Sequence, residues 1–177
     1  MSAMSYGLAP TGEIRYRPAR LEDSEQIGLC LAAAFEPYRA LYTPAAFADT
    51  VPSVGQLKQR VQVMSVWVAA NSLDDIVGTL ACSIEGDTGH LRGMAVHPVM
   101  RGSGIADRLL AIAENHVIDA DCARLTLDTT LVLQRAIRFY RRNGFLPSGR
   151  SRDFFGMPLH EYAKHFHAKS AQVTGPR

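Results

Sequence analysis

Cysteine is scarce in this sequence, with 3 residues in 177, and tryptophan occurs once. Cys30, Cys82 and Cys122 lie far apart, are odd in number and form no CxxC pair. A disulfide framework or thiolate metal site is therefore not expected, and the three read as small buried hydrophobes in a reducing, cytoplasmic compartment. No apolar run approaches the ~18 residues of a membrane span. Residues 1–12 lack the charged start and apolar core of a signal peptide. Neither sign of charge dominates: 19 Lys+Arg against 17 Asp+Glu leave +2, which argues against a dedicated nucleic-acid binder. Internal repeats and low-complexity tracts are also missing.

What is present is a 47% hydrophobic chain of single-domain length, able to bury roughly 70% of the surface it exposes unfolded. Residues 1–12 and 168–177 read as flexible ends around one domain, 13–167. Residues 14–17 alternate as a short strand stopped at Pro18. Asp23 with Gln26 three later resembles a capping box opening a helix from Ser24 to Phe35, ended by Pro37. Thr43-Pro44 and Ser53 with Gln56 start further helices. Strands are expected at 66–70, 76–84 and 90–96, the first two joined by the turn-forming run 71–75. A helix follows from Ser103 to about Asp119, then a strand at 124–128 and a helix from Thr130 to Asn143, stopped by Gly144. Strands at 146–152 and 160–166 close the chain. Early hairpins followed by a βαβ crossover imply a mixed α+β fold with a central, mostly antiparallel sheet and about four helices.

The stretch most informative about chemistry is Arg101-Gly102-Ser103-Gly104-Ile105-Ala106, between a strand and a helix. A helix's first turn carries unpaired N–H groups and about half a positive charge. Gly102 and Gly104 let an anion approach the backbone, and Arg101 adds a cation, so the segment reads as a pyrophosphate cradle. It is not a Walker A loop, because no Gly-Lys-Ser/Thr follows, and GxGxxG would need glycine at Asp107. Alone, a Gly-x-Gly turn can simply join strand to helix.

A second motif accompanies it. Arg101–Ala106, preceded by Met94-Ala95-Val96-His97-Pro98, matches the Gln/Arg-x-x-Gly-x-Gly/Ala pattern of the GNAT superfamily of N-acetyltransferases, and Tyr140-Arg141-Arg142-Asn143-Gly144-Phe145 is similar to that family's Tyr-x-x-x-Gly-Phe helix end. The resemblance is recognisable as motif over about residues 90–145, and as element order over about 14–166. It implies a V-splayed sheet, acetyl-CoA as cosubstrate and an amine acceptor attacked directly. The diphosphate would lie on the amides of Arg101, Gly102, Ser103, Gly104, Ile105 and Ala106. Met94, Ala95 and Val96 would line the pantetheine, with an N–H near Ala95 or Val96 polarising the thioester carbonyl. Tyr140 would be the general acid for the departing thiolate, since a phenol keeps its proton at neutral pH. Read without the family, Tyr140 is a core aromatic in line with Leu133, Ala136 and Ile137.

For the general base, Glu85 is ranked first, ahead of His90 and His97; an imidazole is a suitable acceptor, and each of the three also reads as an ordinary polar position. Leu133 stands where many family members carry Asn, which removes one side-chain partner for the cosubstrate. The alternative of a different class is an acyl-CoA-sensing module that has lost its chemistry. His160, Glu161, His165 and His167 have the wrong spacing for a zinc helix, so no metal is expected. Arg135, Arg138, Arg141, Arg142, Arg150 and Arg152 read as a solvated face or as contacts for a phosphate or an acidic substrate. The resemblance places the aromatic segment around Tyr38, Tyr42 and Phe47 over the acceptor end of the cleft. Its few carboxylates disfavour polycationic acceptors. No nucleic acid or membrane partner is expected, and the resemblance allows a homodimer.

Overall fold

The structure, a computed structural model, describes residues 12–166; of the expected flexible ends, residues 1–11 and 168–177 lie outside them, as does His167. The elements run β1 (Arg15–Pro18), α1 (Ser24–Phe35), α2 (Pro44–Thr50), α3 (Val54–Val63), β2 (Ser65–Ala70), β3 (Ile76–Glu85), β4 (Thr88–Val96), α4 (Ile105–Asp119), β5 (Arg124–Thr129), α5 (Gln134–Arg142), β6 (Leu146–Phe154) and β7 (Met157–His165). A run of 3-10 helix, Glu36–Leu41, links α1 to α2. The seven strands form one sheet in the order β1-β2-β3-β4-β5-β7-β6. All neighbours are antiparallel except β4 and β5, which α4 joins as a crossover. The mixed, mostly antiparallel sheet expected from the sequence is therefore present, with five α-helices among the described residues. None of the helices in the described residues is long and apolar enough to cross a membrane.

Strand periodicity divides the interior in two. Along β2, Trp67 and Ala69 enter a core under α4 and α5, with Leu80, Leu91, Leu109, Leu125 and Phe145. Val66, Val68 and Ala70 point the other way, into a core under α1 and α3 with Ile27, Leu31, Leu57 and Ala81. Both faces of β2 and β3 are covered, which is why they read as nearly continuous apolar runs. Helix α4 lies close on the sheet at Gly78, where an added Cβ would stand 2.6 Å from Ile105 Cγ2.

Several local expectations are corrected. Asp23 does not cap α1: its carboxylate accepts from the Arg20 amide at 2.6 Å and from Arg17 at 2.7 and 2.9 Å. Gln26 instead accepts from the Ile76 amide at 2.8 Å. The Ser53–Gln56 box on α3 does form. Helix α4 begins at Ile105, not Ser103, because Gly104 takes a left-handed N-cap conformation, φ +81°. Helix α5 begins at Gln134, not Thr130, because β5 continues through Thr129, paired with His160. Strand β7 begins at Met157, not His160, after a two-residue turn in which Phe155 and Gly156 both have positive φ. Pro158 is tolerated there because the β5 pairing reaches only to His160.

One irregularity shapes the molecule's cleft. Thr79 opposes Ala95 and Ala81 opposes Arg92, so Gly93 and Met94 together face the single residue Leu80. This is a β-bulge with Gly93 in the left-handed region, φ +62°. The parallel pairing of β4 with β5 stops at Leu91–Leu127, just before the bulge. Beyond that point the pairing with β5 ends, and among the described residues the β4 edge from Met94 to Val96 has no neighbouring strand on that side.

Candidate active site

Two cavities meet in the splay between β4 and β5. One, of about 500 Å³, is lined by Met94–Val96, the Arg101–Ala106 turn and the α5 face carrying Arg135, Arg138 and Tyr140. The other, of about 570 Å³, is lined by His90–Met94, Leu127–Thr130 and the β6 end around Arg152–Phe155. Phe35, Met94, Leu133, Ala136 and Tyr140 line both.

The turn before α4 has the chemistry of an anion site. Gly102 and Gly104 both have φ +81°, and no other atom lies within 4 Å of where a Cβ on either would stand. Their requirement for glycine is conformational rather than steric. Among the described residues, the amides of Gly102 through Ala106 have no protein acceptor. The Arg101 amide, expected to join them, instead closes the preceding turn by donating to Pro98 C=O at 3.3 Å, and the first bond of the helix is Arg108 N–H to Gly104 C=O, 3.0 Å. These donors sit at the positive end of a 15-residue helix. The Ser103 hydroxyl turns away to the Met100 carbonyl, 2.6 Å. The Arg101 guanidinium donates to the Ala34 carbonyl at 3.2 Å and so pins α1 to the turn, both residues lining this cavity. Arg101, Arg135 and Arg138 are the cations that line this cavity without an ion-pair partner in the described residues, whereas Arg142 is held by Asp107 at 3.1 Å.

Alternation along β4 separates Ala95 from Val96. His97 N–H donates to Val77 C=O on β3 at 2.9 Å. Successive residues of a regular strand point their amides to opposite edges, so beyond the bulge Ala95 faces β3 while the amide of Val96 faces the open splay. Of the two candidates for a carbonyl-polarising N–H, Val96 is the one with a free direction.

Tyr140 sits where the cavities join, 8% exposed. Its hydroxyl donates to Met94 Sδ at 3.2 Å. Burial pushes its pKa far above the usual phenol value, so it is a neutral donor. A thioether is a weak acceptor, and exchanging it for a more basic sulfur is favourable.

The base candidates separate clearly. Glu85 lies exposed at the far end of the β3–β4 hairpin, opposite Thr88, and lines neither cavity. His97 turns to the α1 side, beside Cys30 and Gln26. His90 lines the 570 Å³ cavity. Its Nδ1 lies 2.9 Å from Thr126 Oγ1, and that hydroxyl donates to Gly89 C=O at 3.2 Å. A hydroxyl has one proton, so Nδ1 is the donor and Nε2 carries the free lone pair. Nε2 faces Asp128 Oδ2 at 3.8 Å, itself bonded to Arg152 at 2.6 Å. Burial, with Arg152 and Arg92 nearby, lowers the His90 pKa against the opposing pull of Asp128 and Glu161. The sequence offered no pointer to Thr126 or Asp128: they are alternate residues of an ordinary strand, and only the parallel pairing of β5 with β4 brings them to His90.

The three cysteines are buried and unpaired, and burial raises the Cys30 thiol to about 12. Among the described residues no cluster of His, Cys, Asp or Glu is placed to hold a metal ion.

Comparison with known proteins agrees with this geometry. The sequence model of the acetyltransferase (GNAT) family matches residues 31–145. An IAA acetyltransferase of Azospirillum brasilense is 35% identical over 72 residues, 41% of this chain and 47% of that protein. The acetyltransferase plu1384 of Photorhabdus laumondii is 32% identical over 62 residues, 35% of this chain and 43% of that protein. The matched regions thus span less than half the length of these curated relatives. In three dimensions the chain resembles the PaiA N-acetyltransferase of Thermoplasma acidophilum, solved with coenzyme A. The TM-score is 0.73 at 17% identity, over 87% of this chain and 99% of that one. It also resembles an IAA acetyltransferase of Bacillus cereus, TM-score 0.62 at 16% identity, over 87% and 100% of the two chains.

Proposed function

The chain belongs to the GNAT acetyltransferase family, and on that basis we propose that it transfers an acetyl group from acetyl-CoA to an amine by direct attack. The observation that carries the reading is the junction of two cavities at Tyr140, one floored by unpaired helix amides and the other holding a neutral imidazole. The amides of Gly102–Ala106 bind the diphosphate, and Arg135 and Arg138 supply cations beside it. The open edge of β4 from Met94 to Val96 takes the pantetheine as an added strand, with the Val96 N–H directed at the thioester oxygen. Leu133 offers only apolar contact at this point.

The reaction requires an ammonium to lose a proton, a C–N bond to form, the C–S bond to break and the thiolate to gain a proton. His90 replaces Glu85 as the base we assign. At roughly 3.3 Å per residue it stands ~13 Å along β4 from Met94, so the ammonium proton reaches Nε2 through cavity water rather than in one hop. Asp128 stabilises the imidazolium that results. Tyr140 hands its proton to the thiolate and is reprotonated by the second proton, which the acylated nitrogen loses as the tetrahedral intermediate collapses. The products are an N-acetyl amine, CoA thiol and one proton released from His90.

The decisive experiment measures acetyl-CoA binding by calorimetry and thiol release across a panel of amines. Amine-dependent release is expected. Tight binding with no release for any amine supports the sensing module instead, and failure to bind acetyl-CoA removes both.

A further inference from the structure

Arg60 projects from α3 into the 570 Å³ cavity and does not line the 500 Å³ one. It therefore belongs to the acceptor side of the junction, away from the diphosphate turn. Its guanidinium lies over the β4 bulge, with Nη1 only 2.7 Å from where a Cβ on Gly93 would stand. Gly93 thus both forms the bulge and leaves the room that this group occupies. Among the described residues Arg60 has no hydrogen-bonded carboxylate or carbonyl. The nearby carboxylate, Asp49, is already held by Arg92 at 2.6 Å. Burial, with Arg92 alongside, lowers the Arg60 pKa to about 10, so the group is charged at neutral pH and in need of an anion.

The charge around the cavity is therefore divided. The α3 side holds Arg60 and Arg92 against Asp49. The β5–β6 side holds Asp128 and Asp153 against Arg152, with neutral His90 between them. One side has an excess cation and the other an excess carboxylate. A polyamine would place positive charge on Arg60, whereas a zwitterion matches both sides.

We propose that the acceptor is a small amine bearing a carboxylate, of the amino-acid class, whose carboxylate docks on Arg60 across the Gly93 bulge. A guanidinium's planar fork pairs with a carboxylate through two parallel bonds, which fixes the direction of the amine as well as adding affinity. The amine end then lies at the cavity junction beside Tyr140, and its proton leaves through cavity water toward His90 and Asp128. This inference rests on the transferase reading above.

The test uses matched acceptors: leucine, leucinamide and isoamylamine, each with acetyl-CoA, with rates corrected for the fraction of free amine. The wild type is expected to favour leucine by about 10- to 100-fold in kcat/KM, the range for a hydrogen bond to a charged group. Arg60→Gln is expected to bring the ratio near one, chiefly through KM for leucine, and Arg60→Lys to retain part of it. If Arg60 only held the fold, its loss would lower all three acceptors by one factor and leave the ratio intact; that result overturns the proposal. So does a wild type that uses leucinamide or isoamylamine as well as leucine. Acetyl-CoA calorimetry on the same wild-type preparation keeps the two readings apart. If the donor does not bind, the transferase reading fails; if it binds and amines react without regard to a carboxylate, only this inference fails.

Discussion

Replacing Tyr140 by Phe removes one oxygen from the point where the cavities meet, and the structure allows its consequences to be separated. The hydroxyl's partner is the Met94 thioether at 3.2 Å. A neutral hydrogen bond contributes about 0.5–1.5 kcal/mol, and a thioether acceptor puts this one at the low end. The ring's edge contacts with Phe139 and Phe145, at centroid separations of 5.3 and 5.7 Å, are kept. Stability should therefore fall by less than about 1 kcal/mol, a melting shift of roughly 2–4 °C or smaller. Acetyl-CoA affinity should change by no more than about twofold. The turnover number should fall ~10²- to 10⁴-fold, the usual contribution of a positioned acid. The assay is thiol release at saturating substrates from pH 6 to 10, with calorimetry for donor affinity. Wild-type turnover in the Phe variant at every pH would refute the acid role, and a parallel loss of affinity and turnover would show that the ring positions the donor instead.

Further expectations concern His90, Gly104 and Gly78. Since burial lowers the His90 pKa, kcat/KM should fall as pH drops below an inflection lying under the ordinary histidine value, and His90→Gln should remove that acid limb; a limb that persists unchanged assigns it to the amine alone. No alkaline loss from Tyr140 is expected, because its pKa is raised beyond the working range. Gly104→Ala places a side chain at φ +81° and should weaken both the fold, by about 1–2 kcal/mol, and acetyl-CoA binding, read by urea titration and calorimetry. Gly78→Ala sets a Cβ 2.6 Å from Ile105 Cγ2 and should destabilise by about 1–3 kcal/mol through overpacking, measurable as a lower urea midpoint.

How much of this was legible in the sequence depends on distance along the chain. The Arg101–Ala106 turn could be read because strand, glycines and helix are consecutive, and Tyr140 because Gly144 and Phe145 follow it closely. Glu85 was ranked as the base because it ends the strand before β4, near where some family members carry a carboxylate, but strand direction carries it to the opposite end of the hairpin from the bulge. His90 was visible as a candidate, but its tautomer was not, since Thr126 meets it only through a parallel pairing 36 residues away. Arg60 gave no local signal: along α3 it is one more polar residue beside Lys58, Gln59 and Gln62, and its significance comes from the bulge at Gly93.

Local chemistry decided the elements themselves: turn residues, caps and apolar periods act within a few residues, so they are written in the order of the chain. The meeting of the two cavities was decided by the sheet's pairings together with the α1 and α5 side chains that close over the splay. Where β4 parts from β5, and which charges then face each other across the gap, depends on pairings between distant strands and on one extra residue in a register, and no short window of sequence contains those pairings.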